Sequence, residues 1–213
     1  AVAGLGVGEE ARVAVLAKNC PEYLEAYGLF KSGLIVVPLN WRLAPKEVAK
    51  LINHSEPEVL IVDEAHLPVV EQIQSQLSSV KKFVALGKAP TGWTDYEALL
   101  ETGEAAEPTV SVQPEDVLCL IYTSGTTGEP KGVAITHAGA LGNCKTAASE
   151  MLELVPNDHT LAVMPLFHAG GMWYHLFPSF ATGCTTLLLS EFEPGTLLRE
   201  MEETERSGSC NHG

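Results

Sequence analysis

Short apolar runs recur along the first ninety positions, each followed by a stretch in which apolar residues return every three or four. The runs are Arg12-Val13-Ala14-Val15-Leu16, Leu34 to Pro38, Val59 to Val62 and Phe83 to Leu86. Short apolar runs of this length predict strands. Between them Pro21 to Ser32, Pro45 to Asn53 and Leu67 to Leu77 carry helical spacing. Prolines open the first two of these helices, and Gly33 follows the end of the first, as helix start and stop signals require. The alternation predicts an α/β fold of layered, mostly parallel sheets flanked by helices.

Residues 87–114 change character: Gly, Pro, Thr and Glu surround one short helical pattern at Asp95 to Leu100, which reads as a surface connection. Strand character returns at Val117 to Ile121 and at Gly132 to Ile135. A helix is expected from about Ala138 to Leu152, then a strand, helix, strand unit over Thr160 to Met164, Trp173 to Phe180 and Thr185 to Leu189. Glu200 to Glu205 reads as a charged helix. Arg206 to Gly213 has no strand periodicity, so residues 1–205 are expected to form a partial domain and 206–213 an irregular tail, truncated or altered.

The densest chemistry lies between the strands that end at Ile121 and begin at Val133: Tyr122-Thr123-Ser124-Gly125-Thr126-Thr127-Gly128-Glu129-Pro130-Lys131-Gly132. Glycines let the backbone approach an anion and turn several N–H donors toward it. Thr123, Ser124, Thr126 and Thr127 add hydroxyl donors, and Lys131 brings a positive charge on a flexible stem. Together they suit a polyphosphate. The segment is not a Walker loop, because counting from Gly125 puts Pro130 and Gly132 where that motif has Gly and Ser/Thr.

This loop resembles the signature of the adenylate-forming (AMP-binding) superfamily, which includes acyl-CoA synthetases, luciferases and peptide-synthetase adenylation domains. Met164-Pro165-Leu166-Phe167-His168-Ala169-Gly170-Gly171 is similar to the segment that leads into the acyl pocket of such enzymes. Phe30 to Asn40, ending Val37-Pro38-Leu39-Asn40, resembles a segment of their first part. The resemblance covers residues 5 to 204 and only the front of a full member, without the small C-terminal domain. It implies an ATP-dependent carboxylic acid:CoA ligase of fatty or aryl type, acting through an acyl-adenylate, with coenzyme A as cosubstrate. A carrier-protein thiol is the alternative acceptor.

Carried over by resemblance, Thr123, Ser124, Gly125, Thr126, Thr127, Gly128 and Lys131 would hold the phosphates, Lys131 and His168 would act at the reacting groups, and Thr123 would lie near Mg2+. His54, His66, His137, His159, His175 and His212 read as structural or solvent-facing. Trp173 and Phe177, four apart on a helix, fit an acyl pocket and a packed core equally.

Composition removes other classes. Asp and Glu outnumber Lys and Arg 27 to 13, giving a formal net charge of -14 and no basic cluster, so nucleic acid is not an expected partner. Five dispersed cysteines without paired spacing point to a reducing, cytoplasmic setting and away from structural zinc. Thr160 to Ser190 lacks charge, yet Pro165, Gly170, Gly171, Pro178 and Gly183 interrupt it, so no membrane span is expected. Two other classes remain open: an inactive nucleotide-binding remnant, and an interaction fragment that self-associates through uncovered sheet surface.

Overall fold

The computed structural model describes residues 6–103, 106–123 and 129–206. Two compact units divide the chain: residues up to Ala17 with Glu22–His137, and Lys18–Pro21 with Ala138 onward.

The first unit is built on a seven-stranded sheet. Its strands are β1 (Arg12–Leu16), β2 (Ile35–Pro38), β3 (Val59–Asp63), β4 (Lys82–Leu86), β5 (Thr94–Asp95), β6 (Val117–Thr123) and β7 (Lys131–Thr136). They lie in the order β5-β4-β3-β1-β2-β6-β7, all neighbours parallel except β6 and β7. Helices α1 (Pro21–Tyr27), α2 (Pro45–Ser55), α3 (Leu67–Ile73) and α4 (Tyr96–Glu101) connect them.

Period-two alternation assigns the faces. Ala14, Leu16, Val37, Leu39, Leu60, Val62 and Ala85 form one core with Val48, Ala49 and Ile52 of α2 and Leu67, Val70 and Ile73 of α3. Val13, Val15, Val36, Ile61 and Val84, also fully buried, occupy the alternate positions. Tyr96 of α4 donates its hydroxyl to Glu25 of α1 at 2.8 Å, so these two helices are neighbours. Strands buried on both faces are why the sequence shows continuous apolar runs instead of alternation.

Local chemistry sets the helix ends. In α2, Pro45 sits in the first turn and the Glu47 carboxylate reaches back to accept from the Ala44 N–H at 2.9 Å. The predicted helix from Pro21 to Ser32 tightens after Tyr27 into a 3-10 segment, Gly28–Ser32, which Gly33 closes at φ 72°. That left-handed conformation suits glycine.

The second unit holds a parallel pair, β8 (His159–Ala162) and β9 (Thr185–Leu188). The helices are α5 (His137–Thr146, its first residue in the first unit), α6 (Ala169–Gly171), α7 (Phe177–Thr182) and α8 (Pro194–Arg206). The helix expected from Ala138 to Leu152 becomes π-helical over Ala147–Met151, and the one from Trp173 to Phe180 begins earlier and is π-helical over Met172–Leu176. The Thr160 hydroxyl bonds both Ser179 and Thr186 at 2.9 Å, tying β8 to α7 and β9. Among the described residues no helix is long and apolar enough to cross a membrane.

Candidate active site

β6 runs parallel to β2, so its last residue, Thr123, stands at the carboxyl edge of the parallel sheet. Open α/β sheets present ligands at that edge. β7 then returns antiparallel, with Tyr122 opposite Gly132 and Thr123 opposite Lys131. Directly opposed residues have Cα atoms about 5 Å apart, so the hairpin brings a predicted hydroxyl and the predicted cation together at its mouth. Ser124, Gly125, Thr126, Thr127 and Gly128 lie outside the described residues. Glu129, the acidic residue of the motif, pairs with Lys50 of α2 at 3.1 Å, which offsets its charge.

Tyr122 and Gly132 explain each other. A methyl group on Gly132 would stand 3.2 Å from Cζ of Tyr122 and 3.3 Å from its hydroxyl, so the ring lies across the glycine of the partner strand. The Tyr122 hydroxyl meets Nδ1 of His54, on α2, at 2.8 Å. Burial raises the Tyr122 pKa, while Ser55 and Arg12 pull it down. The phenol is therefore protonated near neutral pH, and the His54 tautomer sets which partner donates.

His168 belongs to the second unit. It caps α6: its Nδ1 accepts from the Gly170 N–H at 3.1 Å and its own N–H donates to the Pro165 carbonyl at 3.1 Å. An imidazole that accepts at Nδ1 carries its proton at Nε2 when neutral. The side chain is exposed, so the ring presents an N–H donor rather than a base.

Two further residues hold this segment. A methyl group on Gly171 would stand 2.3 Å from the Pro165 carbonyl oxygen and 2.8 Å from that of Met164, closer than any side chain permits. Asn19, 5% exposed, donates its amide to the carbonyls of Met164 and Leu189, both at 3.0 Å, and accepts from the Leu166 N–H at 2.8 Å. One buried side chain thus ties the segments that follow β8 and β9.

Among the described residues, His66 and His137 make local contacts; His212 lies outside them. His66, 8% exposed, bonds Asp63. His137 packs edge-on against Phe30, and burial lowers its pKa against the opposing pull of Asp116. Trp173 is 7% exposed and packs on Phe177 with ring centres 5.0 Å apart, between fully buried Met172 and Leu176. Cys119, Cys144 and Cys184 are buried thiols, and among the described residues no cluster of three His, Cys, Asp or Glu could hold a metal. Sequence reasoning passed over His54, Asn19 and Gly171 as working residues; only the Gly-Gly pair inside a recognised motif gave any signal, and it pointed to Gly171.

A family model for AMP-binding enzymes matches residues 1–207. The chain belongs to the AMP-binding enzyme family. An indoleacetate–CoA ligase of Aromatoleum aromaticum is 36% identical over 200 residues, which cover 93% of this chain and 39% of that protein. A long-chain-fatty-acid–CoA ligase of Thermus thermophilus is 43% identical over 168 residues, 77% of this chain and 30% of that protein. Among solved structures, the anthranilate–CoA ligase AuaEII in complex with anthranoyl-AMP superimposes with a TM-score of 0.83 at 27% identity, over 96% of this chain and 40% of that one. The chain therefore spans less than half the length of each of these three proteins. Its fold is the one expected for the front part of the large N-terminal domain of an adenylate-forming enzyme.

Proposed function

We propose that residues 1–205 form part of the AMP-binding domain of an ATP-dependent carboxylic acid:CoA ligase, with residues 206–213 outside it. The observation that carries this reading is the β6–β7 hairpin, which sets Thr123 opposite Lys131 at the carboxyl edge of the parallel sheet. In this reaction a carboxylate oxygen attacks the α-phosphorus of ATP, the bond to the bridging oxygen breaks and pyrophosphate leaves. Negative charge grows on the departing oxygens, and the role of the Lys131 ammonium in this reading is to meet it.

Thr123 offers a neutral oxygen of the kind Mg2+ accepts. That ion usually keeps several waters and takes phosphate oxygens, so one hydroxyl from the protein fits MgATP better than a protein-built metal cage. The motif residues Ser124 to Gly128 supply further hydroxyl and backbone donors for the β- and γ-phosphates. His168, holding its proton at Nε2, serves as a hydrogen-bond donor toward the carboxylate or the adenylate phosphate. The acid is of fatty or aryl class, the acceptor is the thiol of coenzyme A, and the setting is the cytoplasm.

The test is carboxylate-dependent exchange of labelled pyrophosphate into ATP by the purified chain and its Lys131→Ala variant, over a panel of acetate, medium-chain, long-chain and aryl acids. Losing one such donor is expected to cost about 100- to 1,000-fold. Equal exchange by both proteins would overturn the role of Lys131. No exchange from a folded wild-type chain would overturn adenylation by this portion.

A further inference from the structure

Helix α2 presents two polar side chains one turn apart, Lys50 and His54, and each meets one side of the β6–β7 hairpin. His54 bonds Tyr122, the residue before Thr123, at 2.8 Å; Lys50 pairs with Glu129, two residues before Lys131, at 3.1 Å. The two contacts differ in weight. Lys50 and Glu129 are 47% and 76% exposed, and an ion pair that wet contributes at most about 1 kcal/mol. Tyr122 is half-buried against the core that α2 shares with the sheet, and its ring spans the inter-strand gap over Gly132. The phenol therefore touches both strands of the hairpin.

Gly132 lies beneath the Tyr122 ring and offers no side chain to fix its lateral position. The hydroxyl bond to His54 supplies the missing stop. We propose that His54 is a positioning residue for the phosphate hairpin: acting through Tyr122 and Gly132, it fixes Thr123 against Lys131. Its consequence for nucleotide binding rests on the phosphate reading above, whereas the mechanical coupling does not.

The experiment is a double-mutant cycle with Tyr122→Phe, His54→Ala and the combination, read first by hydrogen exchange of the β7 amides. Each single variant is expected to speed β7 exchange about threefold to tenfold, the range for one neutral hydrogen bond. The double variant should exchange no faster than either, with β1 and β3 unchanged. Additive effects, no effect, or equal acceleration throughout the sheet would overturn the proposal.

A second readout is ATP affinity, measured by equilibrium binding of a fluorescent ATP analogue. In the variants it should weaken about as much as β7 exchange rises, with His54→Gln, which retains a polar terminus, closer to wild type than His54→Ala. Unchanged affinity in variants whose β7 exchange has risen would overturn the functional part. A wild type that shows the coupled exchange but no nucleotide binding would count against the phosphate reading and leave the brace standing.

Discussion

Asn19→Ala tests how the His168 segment is held. The wild-type side chain makes three hydrogen bonds, to the carbonyls of Met164 and Leu189 and from the N–H of Leu166, and Leu166 is itself fully buried. Each bond contributes about 0.5–1.5 kcal/mol net, and buried backbone groups left without partners add to the loss, so about 2–4 kcal/mol is expected. With a urea m-value of about 1–3 kcal/mol per molar, the midpoint should fall by about 1–2 M. Asn19→Asp separates the donors from the acceptor. The carboxylate can still accept from Leu166, but its second oxygen now faces two carbonyls, so the folded state disfavours the charged form and raises the pKa above the unfolded value of about 3.9. A raised folded pKa makes stability greatest below that unfolded value, and it is lost as pH rises through the folded one. The Asp variant should therefore gain on the wild type as pH is lowered toward 4. An Ala variant within about 0.3 M of the wild-type midpoint, against the shift expected from the bonds lost, would refute the reasoning. So would an Asp variant with no pH dependence of its own.

Gly171→Ala should lower the thermal midpoint sharply, because the added carbon meets backbone oxygens of Pro165 and Met164 that cannot rotate away. Gly132→Ala should cost less, about 1 kcal/mol, since the neighbour is a side chain, and the cost should shrink in Tyr122→Phe, which calorimetry of the two backgrounds would show. His168→Asn keeps an acceptor for the Gly170 N–H and loses the reach of Nε2, while His168→Gln does the opposite. Pyrophosphate exchange should follow Gln and thermal stability should follow Asn. Burial pushes the Cys119 thiol up to about 12, so a disulfide reagent at pH 8 should label it only after denaturation. The same shift removes stability as pH rises above the unfolded thiol value of about 8.5, and resistance to urea should fall between pH 8 and 10.

What could be read from the sequence follows from how far apart the interacting residues stand. The strands β1 to β4 were visible because burial on both faces leaves an apolar run of the right length, and their observed limits differ from the expected ones by at most one residue; β5 (Thr94–Asp95), two residues inside the stretch read as a surface connection, was missed because it is too short to leave such a run. β6 extends to Thr123 instead of stopping at Ile121 because Tyr122 and Thr123, although polar, continue the ladder with Gly132 and Lys131. β8 ends at Ala162 instead of Met164 because the chain there turns to meet Asn19. Neither π-helical segment had a local sign: composition does not distinguish a turn widened by one residue from an ordinary one, and the two segments pack against each other through contacts separated by some twenty residues.

The site divides the same way. Thr123 and Lys131 lay within one contiguous motif, so the chemistry of the residue types and their spacing was enough to select them. His54 stands 68 positions before Tyr122, and Asn19 stands 145 before Met164. At such distances no pattern in a single chain links the partners. His54 was one of seven histidines, was read as structural, and is exposed. Exposure alone does not make it idle, because its ring bonds the hydroxyl of Tyr122, whose own ring lies over Gly132 of the partner strand. Candidate ligand groups are legible when they are neighbours in sequence. The groups that hold them are legible only once the sheet order has placed α2 over β6 and the 18–21 segment against the ends of β8 and β9.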